Sequence, residues 1–250
     1  MPELRKATVR SFSPCEACTV RHLSICDALE SRELDRLNAI VTQNRIAPHQ
    51  MIFNEGDPAA HLFNVIEGAV KIYKLLSDGR RQITGFLFPG DFLGIALHDR
   101  YTYSAEAVTA VRLCRFPRTK FENLLREFPK LENRLLQTAS NELAAAQDQM
   151  VLLGRKSAAE RVASFLVTLA ARARQRRQPD SVIAVPMSRA DIGDYLGLTI
   201  ETVSRTFTRL RKSGTIALPD SHHVEITRRE ALEELAGLDD SEPSAAARAL

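Results

Sequence analysis

"MSRADIGDYLGLTIETVSRTFTRLRKSGTI" (187–216) reads as two short helices joined by a tight turn. Ser188 is placed to cap the first helix. Asp191, three residues on, puts a carboxylate where the first backbone N–H groups lack partners. Ile192, Tyr195 and Leu196 supply that helix with a buried face. Gly197 ends it, Leu198 plugs the turn, and Thr199 is placed to cap the second helix. Val203, Phe207 and Leu210 then recur at helical spacing as an inner stripe, while Glu201, Ser204, Arg205, Thr208, Arg209 and Lys212 share the opposite face. An apolar inside with an outside of base- and phosphate-compatible side chains is what a helix-turn-helix needs to enter the DNA major groove. "IALPDSHHVEIT" (216–227) reads as a hairpin, so the unit is expected to be winged.

Charge supports this reading. The chain carries only +3 overall, yet residues 155–229 hold 14 Lys/Arg against 7 Asp/Glu. Residues 1–154 are near neutral, with 19 against 18, and the last 21 residues are acidic, with 1 against 6. A basic block in an otherwise balanced protein is the footprint of a polyanion-binding domain.

Working outward, "SAAERVASFLVTLAARARQRRQPD" (157–180) is an amphipathic helix that ends in a basic run and a proline break. Before it, Leu136, Ala139, Leu143, Ala146, Met150 and Leu153 fall at intervals of 3, 4, 3, 4 and 3. That is a heptad seam, which pairs two helices and points to a homodimer. From about 45 to 116, short apolar runs alternate with turn signals such as "EGD" (55–57), "EGA" (67–69), "SDG" (77–79) and "FPGD" (88–91). Strands at that spacing suggest an antiparallel barrel or jelly roll with an interior. "ALESRELDRLNAIV" (28–41) adds a short helix with Ser31 as its expected cap.

The first 27 residues are different again. "SPCEACTVRHLSIC" (13–26) holds Cys15, Cys18 and Cys26, and the chain's fourth cysteine is Cys114. No apolar h-region and no run of about 18 apolar residues occurs, so a cytoplasmic, membrane-free protein with reduced thiols is expected. Four thiolates suit a 4Fe–4S cluster, and CxxC lets two neighbouring sulfurs face one centre. Zinc also accepts four cysteines, and a thiol redox switch needs no metal at all. No P-loop, GxSxG or HExxH occurs, and none of the six histidines sits in a catalytic motif, so no enzyme is expected.

The expected fold is therefore α+β. It comprises an arm (1–27), a β-roll sensor domain (28–128), a dimerisation helix (129–154), a winged helix-turn-helix (155–237) and a tail (238–250) that is acidic, then alanine-rich, and reads as disordered. Barrel, dimer helix and winged helix-turn-helix in this order resemble the CRP/FNR superfamily of transcription regulators. "QITGF" (82–86), "AAERVASF" (158–165) and "LGLTIETVSR" (196–205) resemble its oxygen-responsive FNR branch.

The resemblance implies that Cys15, Cys18, Cys26 and Cys114 hold one oxygen-labile 4Fe–4S cluster per chain. It implies that Glu201, Ser204 and Arg205 read a TTGAT half-site in an inverted repeat, with Thr199, Arg209 and Lys212 on phosphates. It further implies that "SDGRRQITGF" (77–86) is a surface loop offered to RNA polymerase, which favours activation. Nucleotide-binding members look like "GE…RS" at the phosphate. Here Ile95 and Tyr103 stand at those positions and Arg100 comes three residues early, so cyclic nucleotide is not expected as a ligand.

Overall fold

The computed structural model describes residues 15–95 and 99–237. The tail expected over 238–250 and the first half of the arm lie outside the described residues.

The arm enters as two short 3₁₀ turns, Arg21–Leu23 and Ile25–Ala28, and leads into helix α1 (Ser31–Asn38). The cap of α1 is Glu30 rather than the expected Ser31: Glu33 reaches back to accept the Glu30 N–H at 2.7 Å. Glu33 draws the boundary one residue early because it satisfies a donor that Ser31 would leave open.

Eight strands follow: β1 (Thr42–Ile46), β2 (Met51–Phe53), β3 (His61–Glu67), β4 (Val70–Leu75), β5 (Arg81–Leu87), β6 (Phe92–Leu93), β7 (Ser104–Ala107) and β8 (Val111–Pro117). They form two four-stranded antiparallel sheets, β1-β8-β3-β6 and β2-β7-β4-β5, laid face to face as a jelly roll. Alternation along β8 divides the core. Val111 and Leu113 point between the sheets with Phe53, Phe63, Val65 and Val70. Cys114 and Phe116 point outward, into a cluster with Val20, Ile25, Leu34, Leu37, Phe121 and Leu131. The strand thus walls off two apolar compartments.

Helix α2 (Arg118–Glu127) is followed after one residue by α3 (Pro129–Arg155), a 27-residue helix with proline in its first turn. The DNA-binding part comprises α4 (Ala158–Gln175), β9 (Val182–Ala184), α5 (Arg189–Leu196), α6 (Ile200–Lys212), β10 (Ile216–Ala217), β11 (His223–Ile226) and α7 (Arg229–Ala236). The wing is a three-stranded sheet, β10-β11-β9, one strand more than the hairpin expected. β9 was hidden because "VIA" is too short to alternate visibly.

A third core cluster joins the barrel's β4–β5 face to this part through Tyr73, Ile83, Phe86, Phe165, Ile192, Leu196 and Phe207. The "SDGRRQITGF" stretch is accordingly only half a surface loop. Its tip is exposed, but Ile83 and Phe86 are buried against α4 and α5. No described helix is long and apolar enough to cross a membrane.

Candidate functional site

Helices α5 and α6 are positioned by the chemistry read from the sequence. The Ser188 hydroxyl accepts the Asp191 N–H at 3.0 Å, and Thr199 accepts the Thr202 N–H at 3.2 Å. Gly197 closes α5 in the left-handed region, at φ +63°. At Gly193 a Cβ would fall 2.6 Å from the Leu198 carbonyl oxygen, so only glycine lets the turn fold back this closely. Val203, Phe207 and Leu210 are buried beneath α6, and Arg189 stacks its guanidinium 3.6 Å from the Phe207 ring.

This leaves Glu201, Ser204, Arg205, Thr208, Arg209 and Lys212 exposed on one side, as the spacing predicts. The helix-start N–H group of Glu201 itself, then Thr199 and Arg205, hold the Glu201 carboxyl below the usual range, so it stays an acceptor. Glu201, Ser204 and Arg205 lie at i, i+3 and i+4 and project together. Arg205 is a bidentate donor fit for guanine O6/N7, and Glu201 is an acceptor fit for cytosine N4. In the wing, His223 faces Asp220 at 2.9 Å, which gives the His222–His223 pair a local partner.

Two connections that carry this unit were not legible in the sequence. The Arg161 guanidinium donates to the carbonyls of Leu153, Lys156 and Leu196, at 2.8, 2.9 and 2.8 Å. One side chain thus ties the end of α3 to the end of α5. At the barrel, buried Lys71 meets Asp191 at 2.9 Å and Glu106 at 3.0 Å, while Arg81 reaches Asp191 and Asp194 at 2.9 and 2.8 Å. Burial alone would raise Asp191. The bonds from Lys71 and Ser188 and the charge of Arg81 outweigh burial and hold its carboxyl below the ordinary 3.8. Asp191 therefore serves the helix cap and the interdomain contact at once.

The heptad seam of α3 is largely exposed. Leu136, Leu143 and Met150 are 68%, 61% and 69% exposed, and Ala146 is exposed as well. Ala139 and Leu153 are half-buried, and Leu153 turns toward Gly197. So many bare apolar side chains on one helix face mark an association surface.

The four cysteines meet on the outer face of β8. Cys15, Cys18 and Cys26 are half-buried and pack on the cluster that contains buried Cys114; none forms a disulfide. Burial first, and then their mutual proximity, pushes Cys15 up to about 11 and Cys114 up to about 12. Cys26 is also pushed up by burial to about 12, against a bond from Ser24. Such thiols are protonated and poor nucleophiles unless a metal takes the proton's place.

Among the described residues, no three His, Cys, Asp or Glu side chains are grouped to hold a single metal ion. Arg21 lies close enough to favour the thiolate forms of Cys15 and Cys26. Its Nη2 donates to the Leu29 carbonyl at 2.6 Å, but its Nε is buried without a partner.

The nucleotide positions offer no ready replacement for the missing charge. Tyr103 accepts the Gly94 N–H at 2.9 Å, Ile95 packs on the arm-side cluster, and Arg100 turns away to the Gly56 carbonyl at 2.5 Å. A cleft of about 300 Å³ does open at the mouth of the barrel, between Phe53, Phe63, Tyr101, His61 and Arg115.

A jelly roll, an exposed helical seam and a winged DNA-reading unit define a two-domain transcription regulator. Residues 43–128 match the cyclic nucleotide-binding domain, and residues 160–235 match the Crp-like helix-turn-helix domain. The chain is 44% identical over 204 residues to the nitrogen fixation regulation protein FixK of Bradyrhizobium diazoefficiens, covering 82% of this chain and 86% of that one. It is 37% identical to the transcriptional activator protein FnrL of Cereibacter sphaeroides, covering 84% and 86%. The solved structure of FixK2 from Bradyrhizobium japonicum superposes with a TM-score of 0.73 at 36% identity, covering 82% of this chain and all of that one. The chain belongs to the CRP/FNR family of DNA-binding transcription regulators, on its FNR branch.

Proposed function

We propose that this regulator is a homodimeric activator whose hold on DNA is set by an oxygen-labile 4Fe–4S cluster on Cys15, Cys18, Cys26 and Cys114. The gathering of all four cysteines at the barrel wall carries this reading. The donor set fits by kind and number. The orphaned Nε of Arg21 fits too, since a sulfur-rich anion at the thiols would give that donor an acceptor.

When bound, the cluster supplies an oxygen-sensitive cross-link between arm and barrel. The rest follows from the chain's own packing. Val20 and Ile25 of the arm, with Leu29 just after it, share a core with Leu131 in the first turn of α3. An anchored arm therefore braces the base of the helix that carries the seam, and a released arm removes that cover. Two recognition helices joined by the seam bind two half-sites far more tightly than one alone. Arg205, Glu201 and Ser204 read a TTGAT half-site and its inverted partner, while Thr199, Arg209 and Lys212 grip phosphates. The named activators among its relatives, together with the exposed tip of the β4–β5 hairpin, support contact with RNA polymerase and activation.

The test is anoxic purification with iron and acid-labile sulfide assayed as air is admitted. About four of each per chain, with absorption near roughly 400 nm that bleaches in air, is the expected result. Zinc in place of iron after attempted reconstitution would sink the oxygen switch and leave the DNA-reading half intact.

A further inference from the structure

A second group of charges lies where the arm crosses the barrel, outside both sites described above. A cavity of about 60 Å³ opens there between the 88–91 turn, His22 of the arm, Arg134 of α3, and Arg172 and Arg176 at the end of α4. A second carboxylate, Glu142 of α3, lies close enough to act on Asp91 and Arg172, but the carboxylate that the three guanidiniums and the imidazole surround is Asp91. That carboxylate is already engaged: it accepts the Phe88 N–H at 2.7 Å and Arg172 Nη2 at 2.5 Å. Arg172 spends Nη1 on the Phe86 carbonyl at 2.7 Å, and its Nε is buried with no partner.

Arg172 and Arg176 also lie side by side over the ring of Phe88, at 5.1 and 4.8 Å from its centroid. Cations in the last turn of a helix are favoured by its dipole. That accounts for arginines being there, but not for two of them folding inward onto one ring, where like charges repel. Burial, and then the neighbouring Arg172, pulls Arg176 down to about 10, and Asp91 opposes them only in part, which leaves the cation short of full compensation. An anion between them would supply it.

We propose that this cavity binds a tetrahedral oxyanion of the phosphate class, held by Arg134 and Arg176, with Arg172 lining its wall and His22 at its rim. Guanidinium forks match the oxygens of phosphate, and the cavity admits a bare anion or a terminal phosphate group but not a nucleoside. The chain approach that builds it depends on Gly90, where a Cβ would fall 2.6 Å from Cβ of Leu23. An anion there touches the arm, the barrel, the seam helix and the first helix of the DNA-binding part together, so its presence bears on the arm independently of the thiols.

Equilibrium dialysis of the full chain against radiolabelled inorganic phosphate, at fixed ionic strength and with 5′-AMP as competitor, tests this. Expected are saturable binding of about one phosphate per chain at this site and roughly tenfold weaker binding in Arg134→Gln and in Arg176→Gln, each lacking one charge-assisted contact. Competition by 5′-AMP assigns the site to the phosphate end of a larger molecule, and no competition assigns it to the free anion. Wild-type binding no greater than that of the Arg134→Gln/Arg176→Gln double variant, whose DNA-reading surface is untouched, overturns the proposal. Should that variant not fold, Arg176→Lys reads the same point: several-fold weaker binding supports the site, and unchanged affinity overturns it.

Discussion

The helix-turn-helix and the thiol patch are built on opposite terms. The local shape of the first is written within 187–216: its caps, its turn glycines and its inner stripe are neighbours in the chain, and Arg161, Lys71 and Arg81 then fix it to the rest of the protein. The thiol patch takes three side chains from the described part of the arm, whose only regular elements are two short 3₁₀ turns, and a fourth from the outer face of β8. The first site takes its local geometry from its own segment and its placement from α4 and the β4–β5 face. The second exists only while the arm, α1 and the start of α3 share one core, and it leaves the Nε of Arg21 buried without a partner. A DNA-reading surface has to be rigid, whereas a switch has to be separable from what it switches.

Four substitutions sharpen or break that contrast. Cys114→Ser has the largest expected effect: iron and sulfide content fall to background while far-UV circular dichroism and non-specific DNA binding persist. Full cluster content in that variant would show that the arm holds its ligand without the barrel.

Next comes Lys71→Met at the joint between the helix-turn-helix and the barrel's β4–β5 face. Removing a buried cation leaves Asp191 and Glu106 sharing Arg81, and urea unfolding is expected to show a loss of about 3 kcal/mol. Asp191 also sets a pH dependence. Its folded pKa lies below its ordinary 3.8, so its contribution is complete above that value and is lost as pH falls through the folded value. In Lys71→Met burial acts with less opposition, so acid unfolding should begin at a higher pH than in the wild type. An unchanged onset would remove Lys71 from the account.

Arg205→Ala comes third. It is expected to weaken binding to the specific site by about 10- to 100-fold and to flatten preference at one base, with non-specific affinity little changed. Equal loss on all sequences would place Arg205 on the phosphates instead. Thr199→Ala is the smallest change, costing about 1 kcal/mol through the lost cap, with the thiol patch unaffected. Altered cluster content in this variant would contradict the independence of the two regions.

The same contrast explains what could be read without coordinates. Ser188, Gly197, Thr199 and the Val203–Phe207–Leu210 stripe act on residues within one helical turn, so spacing reveals them. The cysteines could be counted, and their chemistry narrowed, but only the pleat of β8 brings Cys114 to the arm. Arg161, Lys71 and Arg81 carry no local signature at all. Each is one arginine or lysine among 34, and its partners lie on other elements. Half of "SDGRRQITGF" reads as exposed loop for a related reason: polar Arg81 and Gln82 face α5 through an ion pair and a hydrogen bond donated by the Gln82 amide to the Asp194 carbonyl, which hydropathy does not register.

Strand β8 has a consequence for how such proteins diversify. One of its faces closes the inside of the barrel and the other receives the arm, and the two alternate residue by residue. A substitution on one face leaves the neighbouring chamber's lining untouched. A lineage can therefore gain or lose a sensing chemistry on the outside while the interior keeps its packing, or remodel the interior while the outside keeps its sensor. Inheritance acts on the two chambers as separate characters, although they share one wall only seven residues long.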